Sequence, residues 1–124
     1  MTEPKRRRLP DERASITHKF QVADQEGYLI VGLYPDNTPG ELFVSISKEG
    51  STISGLMDAV ALATSLLLQY GVPLEQIVRK YRHTRFEPSG LTTNMKIPMA
   101  SSLLDYIFHW LELKFGETDE TSKV

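Results

Sequence analysis

The sequence predicts an α+β domain: a three-stranded antiparallel meander packed against a long central helix, plus two further helices. Three short strand-like runs, separated by turn-forming residues, occupy the first 47 residues. An apolar stretch with helical spacing follows at 48–71, and two more helical patterns complete the chain. Strands therefore come first and helices later, which is an order typical of α+β domains.

Three strands are predicted at 16–22, 28–34 and 41–47. The first alternates apolar and polar residues, as a half-buried strand does. The second is apolar on both faces, which indicates a central strand. Short turns rich in Gly, Pro, Asp and Asn join the runs, so we expect neighbouring strands to pair antiparallel.

The long helix is predicted from its two ends as well as from its spacing. A hydroxyl of Ser51 or Thr52 can cap its start. Gly71 suits a left-handed C-terminal position, and Pro73 prevents continuation. Because apolar residues also occupy both flanks of its main stripe, we expect this helix to have more than one neighbour and to lie at the centre of the fold.

Two further helices are predicted at 73–81 and 98–115. Ser101 or Ser102 is expected to cap the third helix. Tyr106, His109 and Trp110 lie beside its apolar stripe. Packing in the core is the interpretation we favour for these aromatic groups, and a base-stacking platform and an oligomer face are the alternatives.

The 124 residues fit one domain at 15–116, between a basic arm at 1–14 and an acidic tail at 117–124, both expected to be flexible. The chain has no cysteine, which excludes thiol catalysis, thiolate metal sites and disulfides within it. No uninterrupted membrane span or secretory signal is expected, so the sequence favours a cytoplasmic protein. The net charge of −2 implies no general affinity for nucleic acid.

The start of the long helix is one candidate anion site. Lys48, Ser51 and Thr52 would combine a cation and two hydroxyls with the unpaired N–H groups of a helix N-terminus. The spacing of a Walker loop is absent, and an ordinary helix cap is the alternative.

The end of the second helix is the other candidate contact site, formed by Arg82, His83 and Arg85 beside a long loop at 85–94. For this cluster, the alternative is a set of solvated charges that complement the helix dipole. For the loop, the alternative is an ordinary surface loop anchored by Phe86 and Leu91. His18 falls on the apolar face of its strand, which favours a partly buried, hydrogen-bonded histidine over a catalytic one. No catalytic constellation or metal-ligand spacing is visible in the sequence.

Seven blocks of sequence resemble one known family. The chain is similar to the TSCPD-related region near the C-terminus of adenosylcobalamin-dependent (class II) ribonucleotide reductases, also called ribonucleoside-diphosphate reductases. The resemblance covers 5–115. It is carried by KRRRLPDER (5–13), ITHKF (16–20), EGYLIVGLY (26–34), KEGSTISGLMDA (48–59), LQYGVPLE (68–75), RFEPSG (85–90) and LDYIFHWL (104–111).

The resemblance implies a place in deoxyribonucleotide synthesis without chemistry of its own. In that family the cobalamin site and the redox cysteines belong to the large catalytic domain, so no cofactor is expected in this chain. Cysteines of the TSCPD pattern would fall near 53–54 and in 99–102, where this sequence has other residues. No family catalytic residue can therefore be transferred.

We therefore expect a stand-alone accessory or C-terminal-domain-like component that acts by binding. The expected partners are the reductase catalytic chain, a second copy through the third helix, or a nucleotide, and no membrane. A nucleotide-sensing domain, or a nucleic-acid-binding domain that uses the basic arm, is the alternative.

Overall fold

Three antiparallel strands form the sheet of the domain. In the computed structural model, which describes residues 5–47 and 51–116, they are β1 (Ser15–Val22), β2 (Gln25–Leu33) and β3 (Pro39–Ile46). The strand order is β1-β2-β3, so β2 is central. The predicted meander and the central position of the second strand are confirmed.

Alternation along β2 decides which face of the sheet is covered. Leu29, Val31 and Leu33 are buried, whereas Tyr28 is exposed and Ile30 is partly so. The inner face is completed from the two neighbouring strands by the buried residues Phe20, Val22, Leu42 and Val44.

Three helices follow the sheet: α1 (Ser51–Gln69), α2 (Leu74–Tyr81) and α3 (Leu103–Phe115). Gly71 has a φ of 94°, the left-handed conformation that ends α1, and Pro73 precedes the first turn of α2. The α+β class and its helix count are confirmed.

A hairpin of two very short strands, β4 (Gly90–Leu91) and β5 (Met99–Ala100), lies between α2 and α3. The third helix therefore begins at Leu103 and not at 98. The physical reason is the cap at Ser102, whose Oγ accepts a hydrogen bond from the Asp105 N–H at 2.9 Å while the residues before it pair with β4.

α3 lies between the sheet and α2. The Trp110 ring stacks on His18 of β1 with centroids 4.8 Å apart, and Tyr106 stacks on Phe20 at 5.5 Å. On the α2 side, Phe108 stacks on Tyr81 at 4.9 Å. The packing interpretation of the α3 aromatic groups is confirmed, and their burial leaves little of α3 for an oligomer face.

α1 lies along the open edge of β3. Ser65 Oγ accepts from the Leu42 N–H at 2.8 Å and lies 3.2 Å from the Leu42 carbonyl oxygen. Gln69 Nε2 donates to the Gly40 carbonyl at 2.9 Å. These polar side chains occupy backbone groups that another strand could otherwise use, so α1 closes this edge of the sheet.

Within the described residues, most of the opposite side of α1 is exposed, and near the end of the helix Leu67 lines a groove with Ile77 and Tyr81 of α2. Only 28% of the residues in Thr52–Gln69 are buried, and by length and composition alone this stretch is also apolar enough to cross a membrane. β3 is the main neighbour of α1, while residues 5–14 and α2 contact it only near its end, so the expected central position of this helix is not observed. The reason is that α3, and not α1, covers the inner face of the sheet.

Residues 5–14 have no regular secondary structure but contact the domain. Gln69 accepts from the Arg7 N–H at 2.8 Å through its carbonyl and from Arg6 Nε at 2.6 Å through Oε1. The Arg7 guanidinium lies 3.8 Å from the centroid of the Tyr34 ring. The basic arm is thus attached over these residues, while 1–4 and the acidic tail lie outside the described part.

We predict that Ser65→Ala destabilises the domain by about 1–3 kcal/mol, because it leaves the buried Leu42 N–H without its partner. Urea unfolding monitored by circular dichroism measures this change. Ser45→Ala, on the exposed face of the same strand, is the control and should cost less than about 0.5 kcal/mol. Equal effects of the two substitutions would contradict the role of Ser65.

Candidate functional site

An open cleft of about 670 Å³ lies where the end of α2 meets the β4–β5 hairpin and α3. It brings together Arg82, His83 and Arg85, the residues that the sequence singled out at the end of the second helix. Its other walls are formed by Phe86, Glu87, Ser89, Gly90, Met99, Ala100, Ser101, Asp105 and His109.

Asp105, in the first turn of α3, bonds to the backbone of two segments that line this cleft. Its Oδ1 accepts from the His83 N–H at 2.7 Å, and its Oδ2 accepts from the Ser101 N–H at 3.1 Å. Burial alone would raise the pKa of Asp105, but these hydrogen bonds and the nearby Arg82 hold the pKa below its ordinary value. Asp105 is therefore a charged carboxylate that fixes the segment after α2.

Arg82 is largely occupied by acidic partners. Its Nη1 donates to Glu112 Oε1 at 2.5 Å, and its buried Nε lies 3.5 Å from Asp105 Oδ1 without a hydrogen bond within the described residues. Two carboxylates thus offset the charge of this guanidinium. Arg82 shapes the cleft more than it attracts an anion.

His83 and Arg85 are the exposed basic residues at the cleft. His83 has a φ of 69°, a left-handed conformation that is uncommon for a residue with a side chain, and Asp105 stabilises it through the bond to its N–H. The partly buried His109 forms another part of the wall. Burial, and next the charge of Arg82, lower the pKa of His109, so it is neutral at pH 7.

The candidate anion site at the start of α1 is only partly described. Lys48 lies outside the described residues, and Ser51 begins α1 without a described side chain. Thr52 is exposed and does not line the cleft. The structure therefore brings together one of the two predicted clusters and leaves the other as a prediction.

The long loop is anchored differently from the expectation. Phe86 and Leu91 are 39% and 68% exposed, so the alternative in which these two side chains anchor the loop is not supported. The Phe86 N–H instead donates to the Ser101 carbonyl at 3.1 Å, β4 pairs with β5, and Ile97 is buried. Backbone pairing with the segment before α3 replaces the apolar anchors.

Sequence reasoning missed the contribution of α3 to the cleft. By its position in the sequence alone, Asp105 is an acidic residue early in the third helix, where the helix dipole favours a carboxylate. Its position three residues after the capping Ser102 was the available signal. That signal could not show that its oxygens bond to backbone 22 and 4 residues away.

His18 belongs to a separate polar chain between β1 and α3. Its Nε2 lies 2.8 Å from Tyr106 Oη, which also accepts from Asn94 Nδ2 at 3.1 Å. The predicted partly buried, hydrogen-bonded histidine is confirmed. Burial, and next the charge of Lys114, lower the pKa of His18.

A metal centre finds no support in the part of the chain that the structure describes, where no three His, Asp or Glu residues lie close enough to share an ion.

Comparison with family models matches residues 2–115 to the TSCPD domain. No solved structure shows significant similarity to the chain.

Several curated proteins are similar to nearly the whole chain. The vitamin B12-dependent ribonucleotide reductase of Rhodopirellula baltica is 58% identical over 97% of this chain, which is 12% of that protein. The protein of the same name from Streptantibioticus cattleyicolor is 51% identical over 90% of the chain and 19% of its own length. That of Bradyrhizobium diazoefficiens is 40% identical over 89% of the chain and 9% of its length. The chain thus spans a small part of these relatives.

We predict that the domain loses stability as the pH falls below 6.5, the ordinary pKa of histidine. The folded state holds His18 with a lowered pKa, so the unfolded state binds more protons in this range and unfolding becomes easier. The stability that His18 contributes is fully present above pH 6.5. It is lost as the pH falls from 6.5 to the lowered pKa of His18 in the folded state.

Urea unfolding at a series of pH values from about 7.5 to about 5 measures this dependence. His18→Gln should make the slope smaller, and His109, whose pKa is also lowered in the folded state, accounts for the slope that remains. A slope that is unchanged in His18→Gln would contradict the assignment to His18.

Proposed function

The chain belongs to the TSCPD domain family, and we propose that it serves the ribonucleotide reductase system of deoxyribonucleotide synthesis as a docking component. One observation carries the proposal. A protein named for that activity contains a stretch 58% identical to almost this whole chain, yet the stretch is only 12% of the protein. A small part with its own fold contributes a binding surface more readily than a complete active site.

The residues of this chain support binding over chemistry. The 124 residues contain no cysteine, so they supply no thiol for redox or radical steps. The cleft offers hydrogen-bonding and charged groups, but one of its two arginines, Arg82, is already paired with Glu112. We propose that adenosylcobalamin and the reacting groups belong to other parts of the reductase system. We place this system in the cytoplasm.

The contact surface that we propose for the reductase catalytic chain is the exposed rim of the cleft, at His83 and Arg85. Asp105 fixes the backbone that carries His83, so the rim is rigid before any partner arrives. A preorganised surface loses less conformational freedom on binding. An exposed arginine at its edge fits an acidic patch on the partner, where it would speed association.

A nucleotide is the second candidate ligand, and the size of the cleft favours it. About 670 Å³ lies in the range of small-molecule sites. Arg85 could contact a phosphate, and the neutral His109 could contact a polar group of the ligand. Lys48, Ser51 and Thr52 at the start of α1 form the other candidate phosphate site. Nucleic-acid binding through the basic arm has less support, because Arg6 and Arg7 already contact the domain.

We predict that the chain binds the Rhodopirellula baltica relative from which the matching stretch has been deleted. Biolayer interferometry with the immobilised chain measures the affinity, and retained vitamin B12 binding shows that the shortened relative is folded. Arg85→Glu should weaken binding at least about tenfold, since it places a like charge against an acidic patch.

Arg79→Glu is the matched control, an exposed arginine of α2 that lies outside the cleft and should leave the affinity unchanged. Absence of binding between two folded proteins at high micromolar concentration would refute the docking role. Equal effects of the two substitutions would refute the assignment to the cleft rim.

The nucleotide candidate predicts heat on titration with ribonucleoside or deoxyribonucleoside phosphates and a matching rise in melting temperature. Arg85→Ala should abolish both signals if the cleft is the site, and Lys48→Ala should do so if the start of α1 is. Flat titrations with no thermal shift would eliminate this candidate.

A further inference from the structure

The outward side of α1 is an exposed apolar surface. Leu56 is 58% exposed, Leu67 39%, and Tyr70, directly after the helix, 46%. The only charged residue of α1 is Asp58, which lines a groove beside β3. A helix of 19 residues without a charge on its outward side is unusual for a surface that faces water.

The exposed residues form one continuous stripe. Leu56, Ala59, Ala63, Leu67 and Tyr70 follow one another at steps of three and four, so they share a face of the helix. The buried residues Met57, Ala61 and Thr64, followed by the partly buried Leu68, repeat at similar steps on the other side. The outward stripe is therefore a second apolar face, with large side chains at its ends and alanines in its middle.

We propose that a second copy of this chain covers the stripe, with α1 packed against α1 in an isologous dimer. In an isologous contact the same patch of both copies meets, so like charges in the patch would repel each other. The stripe of α1 has no charged residue, so this repulsion is absent. Crossing at Ala59 and Ala63 lets the two helices approach closely. In the antiparallel orientation, Leu56 of one copy lies beside Leu67 of the other.

The size of the stripe sets the strength of this contact. A helix of 19 residues is about 28 Å long and about 10 Å wide, which gives a strip of roughly 300 Å² on each copy. Stable interfaces bury about 800 Å² per partner, so this contact is small and the proposed dimer is a weak one that forms only at high protein concentration.

Insertion of α1 into a membrane is disfavoured by its polar contacts. Ser65 and Gln69 bond the backbone of β3, and a spanning helix would have to give up these bonds or bury them in hydrocarbon. A second copy would cover the apolar stripe and leave in place the bonds by which α1 closes the edge of β3.

Sedimentation equilibrium over about 5 to 500 micromolar protein tests the proposal, with wild type expected to change from monomer to dimer across that range. Ala63→Glu should raise the dissociation constant at least about tenfold, because it places two like charges at the crossing. Ala63 is exposed in the single copy, so an unchanged melting temperature at low concentration shows that the variant monomer is folded.

Leu56→Glu is the second variant and should also weaken the dimer. Leu113→Glu is its matched control, since Leu113 is a leucine of α3 that is 50% exposed and should leave the dimer intact. A wild type that stays monomeric throughout, a dimer that Ala63→Glu leaves unchanged, or a dimer lost only in Leu113→Glu would overturn the proposal.

Discussion

The position of α1 along the open edge of β3 is the constraint on which the rest of the structure depends. Ser65 and Gln69 bond the edge of the strand, so α1 is held beside the sheet and not across it. α3 then fills the inner face and carries α2 on its other side. The same arrangement leaves most of one side of α1 exposed and creates the cleft where α2, the short hairpin and α3 meet.

Local patterns in the sequence were sufficient for much of this fold. Alternation identified three strands, apolar residues on both phases identified the central one, and Gly71 with Pro73 located the end of α1. Periodicity could not show which helix covers the sheet, because it reveals an apolar face without naming its partner. A hairpin of two-residue strands is likewise too short to leave a pattern, which is why the helical spacing predicts too early a start for α3.

The candidate site was predictable only where it is local in sequence. Arg82, His83 and Arg85 are near neighbours, and the structure places all three at one cleft. The pairing of Arg82 with Glu112, 30 residues away, depends on the packing of α2 against α3 and could not be inferred. That pairing changes the interpretation, since it leaves Arg85 as the main exposed cation of a rigid rim. The cleft rim and the stripe of α1 lie on different elements, so a reductase chain and a second copy need not compete for one surface.

Docking at the cleft rim is the central claim, and hydrogen exchange measured by mass spectrometry in the presence of the shortened Rhodopirellula baltica relative tests it most directly. The account predicts slower exchange of the amides in 82–90 on complex formation, with the amides of β3, already paired with β2 and bonded to α1, unchanged. Slower exchange confined to other segments, or none at saturating partner, would contradict it.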